Sequence, residues 1–171
     1  RYQEVTGVQT CALPIYKFEL TYQDKANDKT SIDNFDYVVV STGHFSVPFI
    51  PEYKGMNSFP GRIMHSHDFR DAEEFRDKNV VVLGSSYSAE DIALQCNKYG
   101  AKSVTIGYRH NPMGFKWPNG MKEVYYLDRL EGKKAIFKDK TEQETDVIIL
   151  CTGYLHHFPF LEENLKLKTG N

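Results

Sequence analysis

The chain has little cysteine, no long apolar run and almost no net charge. Its three cysteines, Cys11, Cys96 and Cys151, have neither the spacing of metal ligands nor the density of a disulfide framework, which favours a reduced, cytoplasmic setting. No apolar stretch approaches the roughly 18 residues of a membrane span, and no signal peptide is visible. The net charge of -2 gives no reason to expect a nucleic acid or an anionic membrane as a partner.

Residues 5–15 form a segment that does not read as native protein. Their sequence, VTGVQTCALPI, matches the in-frame translation of a common sequencing adapter at every position. An ordinary short strand that ends at Pro14 is the alternative. We therefore interpret residues 1–15 as an artefact, Cys11 included, and begin the fold at Tyr16.

The rest of the chain alternates apolar strands with helical and loop segments. Apolar or small residues at positions 89, 92, 93 and 96 fall on one face of a helix, and Gly100 follows as a C-terminal cap. Near-continuous apolar strands around such a helix predict a doubly wound, Rossmann-like α/β fold with a parallel sheet. The predicted strands cover 16–22, 37–41, 80–83, 102–109 and 145–154, with a strand pair around Glu131-Gly132, a short helix around Ala72–Phe75 and a longer one over Tyr87–Tyr99.

Two of these strands end in the same dipeptide. YVVVSTGHF runs into Thr42 and Gly43, and VIILCTGYL runs into Thr152 and Gly153. The carboxyl ends of parallel strands meet at the edge of the sheet where open α/β folds bind ligands. Both Thr-Gly pairs are therefore predicted to lie at a ligand-binding edge.

The turn after the strand 80–83 suits two unrelated sites, of which the first is a nucleophile elbow. GSSYS resembles the G-x-S-x-G pattern, with Ser86 as the nucleophile. Asp146, with His156 or His157, follows in the chain order of a hydrolase triad. Asp146 begins its strand, however, which puts it at the opposite edge of a parallel sheet from Ser86. The hydrolase is therefore the weaker alternative.

The second possibility is a cradle for the pyrophosphate of a dinucleotide. Gly84 provides the tight turn, and Ser86 and Ala89 are small enough for the positions that glycines usually fill. The next strand ends in Arg109, followed by His110, and lacks the acid that NAD enzymes place on the ribose 2′-hydroxyl. Because a guanidinium binds phosphate through paired hydrogen bonds, these residues favour NADP over NAD.

A longer signature lies just before this turn. Phe59-x-Gly61-x-x-x-His65-x-x-x-Phe69 resembles the F-x-G-x-x-x-H-x-x-x-F/Y motif of flavin-dependent monooxygenases of the flavin-containing and Baeyer–Villiger type. It stands where that family has it, before the second dinucleotide fingerprint, and the resemblance runs over about residues 37–161. Within the family, GSSYSAEDIALQC, YRHNPMGFKWP and ILCTGYLHHFPFLEENLKL look most like the bacterial members that oxygenate trimethylamine.

The resemblance implies a protein with two dinucleotide-binding domains, of which this chain carries a part. Residues 16–55 would be a partial FAD-binding domain and linker, residues 56–154 the NADP-binding domain, and residues 155–171 a truncated return to the FAD-binding domain. The family's first G-x-G-x-x-G, which holds FAD, is absent. The chain is therefore predicted to be a fragment that is inactive alone, and a non-catalytic NADP-binding module is the alternative.

The resemblance also implies the chemistry of the parent protein. Such enzymes reduce FAD with NADPH, form a flavin hydroperoxide with molecular oxygen and transfer one oxygen atom to a small tertiary amine such as trimethylamine, or to a sulfide. No catalytic residue is assigned, a homodimeric parent is left open, and no metal is expected because His65-x-His67-Asp68 lacks a fourth ligand. The implied cofactor-binding residues are Gly84, Ser85, Ser86, Tyr87 and Ser88 at the pyrophosphate and nicotinamide, Arg109 and His110 at the 2′-phosphate, and Thr42, Gly43, Thr152 and Gly153 near both cofactors.

Overall fold

The computed structural model describes residues 3–10 and 18–166 of the chain. The chain divides into two compact units, one made of Arg1–Val47 with Leu155–Asn171 and the other of Pro48–Tyr154. The domain boundaries predicted from the sequence lie after residues 55 and 154. The assignment of the units to FAD and to NADP stays a prediction.

The described part of the first unit is built on an antiparallel sheet of three strands in the order β1-β2-β3. These are β1 (Gln3–Thr10), β2 (Phe18–Asp24) and β3 (Lys29–Phe35). The strand predicted over 16–22 corresponds to β2, whereas β3 was not predicted, because its polar sequence reads as a turn. The structure thus gives residues 3–10 a strand, where the sequence analysis expected a segment outside the fold.

The strand predicted over residues 37–41 is wrong. These residues form no strand, and Tyr37 and Val39 are 80% and 85% exposed. A parallel strand needs neighbours to bond its backbone groups, and the described part of the chain places no strand of a sheet beside this segment. Thr42 and Gly43 therefore do not follow a strand either, and the resemblance to the end of the strand before Thr152 is one of sequence alone.

The second unit is built on a parallel sheet of five strands, which confirms the predicted α/β class. The strands and the helix that follow β3 are β4 (Val47–Pro48), β5 (Arg62–His65), β6 (Asn79–Leu83), α1 (Tyr87–Lys98), β7 (Ser103–Tyr108), β8 (Met121–Tyr125), β9 (Leu127–Glu131), β10 (Lys134–Phe137), β11 (Glu142–Glu144), β12 (Val147–Leu150) and β13 (Tyr154–Leu155). Short 3-10 helices lie at Met56–Ser58, Ser66–Asp68, Glu73–Phe75 and Glu163–Leu165. The parallel sheet has the strand order β5-β12-β6-β7-β8, and a separate antiparallel sheet has the order β11-β10-β9.

The two faces of the parallel sheet bury separate apolar clusters. On one face, α1 packs the side chains of Ala89, Ile92, Ala93 and Cys96 against alternate residues of β6 and β7, as the helical periodicity predicted. On the other face, the alternate residues of β6 and β12 pack against the sheet of β9 to β11. Because each fully buried Leu or Phe contributes about 1.5–3 kcal/mol, these two layers stabilise the central strands of the sheet.

The signature residues around β5 have structural roles. A Cβ on Gly61 would lie 2.3 Å from the carbonyl oxygen of Asp146, so only glycine fits beside the start of β12. Phe59 packs on the second apolar cluster, and Phe69 stacks on Phe75 with ring centroids 6.1 Å apart. The motif therefore fixes β5 and its flanking loops at the edge of the sheet, beside β12.

Candidate functional site

The strands of the parallel sheet end together at one edge. Leu83 at the end of β6 lies opposite Gly107 on β7 and Leu150 on β12, and Gly107 lies opposite Val124 on β8. The chain order along the sheet reverses between β6 and β12, and open α/β folds bind ligands at such a switch point. The loops that follow these strands are therefore the candidate site.

Gly84 makes the turn between β6 and α1. Its φ of 142° lies in a region that side chains rarely adopt, and a Cβ would lie 2.3 Å from the carbonyl oxygen of Cys151. Its amide donates to the carbonyl of Gly107 at 3.0 Å. Glycine is thus required because the chain passes close to two neighbouring strands, as a tight turn predicts.

The N-terminus of α1 leaves backbone donors available to a ligand. The carbonyl of Ser86 accepts the amides of Ala89 and Glu90 at 2.8 and 3.1 Å, but the Ser86 side chain makes no capping hydrogen bond. The amides of Tyr87 and Ser88 precede the first intrahelical bonds and have no acceptor among the described residues. Free amides and the helix dipole together favour an anion at this end of the helix.

Arg109 and His110 follow β7 and line a pocket of about 410 Å³ in the second unit. The pocket brings Lys138 to the same space, and none of its lining residues is a carboxylate. In the part of the chain that the structure describes, neither Arg109 nor Lys138 forms an ion pair. The remaining lining residues are Phe49, Pro51, Tyr125 and Tyr126.

Lys138, Tyr125 and Tyr126 were not predicted as site residues from the sequence. Lys138 follows β10 and comes 29 positions after Arg109, with no motif to connect the two. Only the return of the chain from β8 through the hairpin of β9 and β10 brings them together. Predicting Lys138 as a neighbour of Arg109 would have required the pairing of these strands, which the sequence does not give.

A hydrogen bond joins the hydroxyl groups of two tyrosines near the pocket, Tyr53 and Tyr126. Tyr53 donates to the hydroxyl of Tyr126 at 2.8 Å, and their ring centroids lie 5.8 Å apart. Burial, and then the hydrogen bond with Tyr126, raise the pKa of Tyr53 above its ordinary value. The Tyr53 phenol therefore stays neutral and adds no negative charge beside Arg109.

Thr152 and Gly153 contact the chain that enters the second unit. The Thr152 hydroxyl donates to the carbonyl of Phe49, and the Gly153 carbonyl accepts the Phe49 amide at 2.9 Å. These bonds hold Phe49 at the wall of the pocket, while a direct contact of Thr152 or Gly153 with a cofactor stays a prediction. Thr42 and Gly43 belong to the first unit, outside the unit that carries this edge.

His65 is buried at the end of β5 with both ring nitrogens in use. Its Nδ1 accepts the amide of His67 at 3.0 Å, which leaves the proton on Nε2 to donate to the carbonyl of Gly153 at 3.0 Å. Burial lowers the pKa of His65 below its ordinary value. Since neither nitrogen is available as a ligand, His65 has a structural role in this fold.

The hydrolase alternative has no geometric support. The carboxylate of Asp146 accepts the amide of Asn79 at 2.9 Å, at the start of β6. Ser86 follows the other end of that strand, roughly 13 Å further along at 3.3 Å per residue. Asp146 therefore cannot orient a histidine beside Ser86.

A comparison with protein families identifies the group to which these features belong. A family model described as flavin-binding monooxygenase-like matches residues 17–113 and 121–171. The chain belongs to this family. The match begins beyond residues 1–15, whose interpretation as an artefact stays a prediction, and it confirms the family that the Phe59–Phe69 signature indicated.

Individual relatives agree with the family. Trimethylamine monooxygenase from Pelagibacter sp. (strain HTCC7211) is 85% identical over 155 residues, which are 91% of this chain and 35% of that protein. The crystal structure of Tmm from the same strain matches with a TM-score of 0.87 and 79% identity, covering 99% of this chain and 38% of that chain. For S-allyl-L-cysteine S-oxygenase from Allium sativum the TM-score is 0.79 at 33% identity, covering 95% and 37%. This chain spans about a third of the length of these proteins.

Among the described residues, no helix combines the length and the apolar character needed to cross a membrane. The same residues contain no group of three or more His, Cys, Asp or Glu side chains arranged to hold a metal ion.

Proposed function

We propose that the second unit binds NADP, and that the parent protein is an NADPH- and FAD-dependent monooxygenase of small tertiary amines. The observation that carries the proposal is the pocket at the carboxyl edge, where cationic side chains meet without any carboxylate. Such a pocket favours a 2′-phosphate over a ribose that offers only hydroxyl groups. The match to relatives named trimethylamine monooxygenase makes trimethylamine the first substrate to test.

The residues at this edge fit the parts of NADP. Arg109 and His110 would hold the 2′-phosphate, and the free amides of Tyr87 and Ser88 would hold the pyrophosphate at the start of α1. The Ser86 hydroxyl, unused as a cap, would be a further donor to the pyrophosphate. The bound NADPH would supply a hydride to FAD, whose cradle we assign to other parts of the parent.

Two thiols support our proposal for the compartment of the parent. Cys96 and Cys151 are free, and burial raises the pKa of each to about 12, so both stay protonated. We place the parent in the cytoplasm because unpaired cysteines suit a reducing compartment.

The activity itself is tested in the full-length, FAD-loaded parent. We expect NADPH oxidation that depends on trimethylamine and yields the N-oxide, measured by mass spectrometry. A small thioether tested in parallel decides whether sulfides are also substrates. NADP binding without turnover of amine or sulfide would contradict the oxygenase and favour a non-catalytic NADP-binding module.

The 2′-phosphate role is tested by Arg109→Ala in the same protein. We expect the affinity for NADPH to fall by about tenfold to a hundredfold, because a charged hydrogen bond contributes about 1.5–3 kcal/mol, while NADH is little affected. Arg129→Ala is the control, since Arg129 pairs with Asp128 and Glu131 away from the pocket. Equal losses for the two nucleotides would remove the assignment.

A further inference from the structure

The pocket contains a cation that neither the fingerprint nor the signature includes. Lys138 enters the pocket from the turn after β10, whereas Arg109 and His110 enter it from the loop after β7. We propose that Lys138 is a further contact of the 2′-phosphate and a determinant of the preference for NADP over NAD. This inference rests on the proposed binding of NADP.

The turn that carries Lys138 is held firmly on the sheet. Phe137, the last residue of β10, is only 2% exposed, and its amide donates to the carbonyl of Thr141 at 2.9 Å. The amide of Lys140 donates back to the carbonyl of Phe137 at 2.9 Å, which closes the turn. The amide of Lys138 donates to the carbonyl of Tyr126 at 2.9 Å. The backbone of Lys138 is thus fixed beside the tyrosines of the pocket.

Asp139, the acidic residue nearest to Lys138 in sequence, forms hydrogen bonds within the turn. Asp139 accepts the amide of Thr141 at 2.9 Å and its hydroxyl at 2.6 Å. The hydroxyl bond and the amide bond lower the pKa of Asp139, so it stays charged but is satisfied by its own turn. Lys138 forms no ion pair with it or with any other described carboxylate.

Lys138 also borders a second cavity, whose carboxylates already have cationic partners. Glu142 pairs with Lys134 at 2.8 Å, and Arg129 pairs with both of the remaining acids. These are Asp128 and Glu131, each 2.8 Å from the guanidinium. The charge of Lys138 is therefore left for the carboxylate-free pocket, where a phosphate dianion is the ligand that balances the charges of Arg109 and Lys138.

Lys140 provides a matched control in the same turn. It is a lysine two positions further on, it lines the second cavity, and it is not part of the pocket of Arg109. Glutamine keeps most of the length of either side chain and removes only its charge. Lys138→Gln and Lys140→Gln therefore change the same net charge at neighbouring places.

The experiment measures dissociation constants for NADP⁺ and NAD⁺ by isothermal titration calorimetry on the FAD-loaded, full-length protein at one ionic strength. We expect Lys138→Gln to weaken NADP⁺ by about fivefold and NAD⁺ by less than about twofold, as for an exposed charge pair. Lys140→Gln should leave both constants unchanged. The selective loss in one variant and its absence in the other would support the contact.

Other outcomes separate this inference from the function on which it rests. Equal weakening of the two dinucleotides by Lys138→Gln, or the same selective loss in Lys140→Gln, would overturn the role of Lys138. If Arg109→Ala weakens NADP⁺ much more than NAD⁺ in that case, the NADP site stands without Lys138. If the unmodified protein binds both dinucleotides equally, the 2′-phosphate site and the role of Lys138 fail together.

Discussion

His65 shows how one side chain joins two loops at the carboxyl edge. It links the start of the Ser66–Asp68 turn to the Gly153 carbonyl, and it does so as a neutral imidazole. Replacing His65 with Asn should lower the free energy of unfolding by about 1–3 kcal/mol, because buried backbone groups lose their partners. Chemical denaturation at neutral pH measures this loss.

The same residue makes a prediction about pH. Because the pKa of His65 is lower in the folded state than its ordinary value of 6.5, the unfolded chain takes up a proton first as the pH falls. Its contribution to stability is thus complete above about pH 6.5 and is lost progressively below it. The free energy of unfolding should fall more steeply below pH 6.5 in the unmodified protein than in His65→Asn. His157→Asn, at an exposed histidine, is the control, and parallel curves for all three proteins would contradict the account.

At the scale of elements, the unit of β6, the turn and α1 depends on close approach at Gly84. Gly84→Ala should destabilise the fold by more than about 1 kcal/mol, because a methyl group meets the Cys151 carbonyl in a backbone conformation that alanine rarely adopts. Gly132→Ala tests the backbone term alone, since Gly132 also has a positive φ but has open space around it. Thermal unfolding should place Gly84→Ala well below Gly132→Ala. Similar melting temperatures for the two variants would mean that the turn at Gly84 shifts to accept the methyl group, and would contradict the need for close approach.

The elements that sequence could predict are those with strong local patterns. The apolar run of β6, the helical face of α1 and the Gly100 cap all follow from spacing, and the structure confirms them. Arg109 was predicted as a site residue because it stands at a defined place after the fingerprint, and the structure places it in a pocket, while its contact with a phosphate stays a prediction. Residues 37–41 have the same local pattern as β12, but the residues that the structure describes offer them no neighbouring strand, so pattern alone predicted them wrongly. Lys138 depends on contacts between distant strands, which no local pattern contains.

At the scale of the whole molecule, the sequence contains the fingerprint of the proposed NADP site, and the family's first G-x-G-x-x-G is absent from it. The chain spans about a third of the length of the relatives that it matches. Several large apolar side chains of the first unit are exposed, with Val39 at 85% and Phe45 at 66%. We therefore predict that the 171-residue chain, given NADPH, FAD and trimethylamine, shows no substrate-dependent turnover, whereas the full-length protein does. Formation of the N-oxide by the short chain would contradict this prediction.

The central claim is that the carboxyl edge of the parallel sheet binds NADP through its 2′-phosphate. The most direct measurement is a crystal structure of the full-length, FAD-loaded protein with NADP⁺. We expect the 2′-phosphate within about 3 Å of the Arg109 guanidinium, with the pyrophosphate at the amides of Tyr87 and Ser88. A 2′-phosphate that points into solvent, away from Arg109 and Lys138, would contradict it.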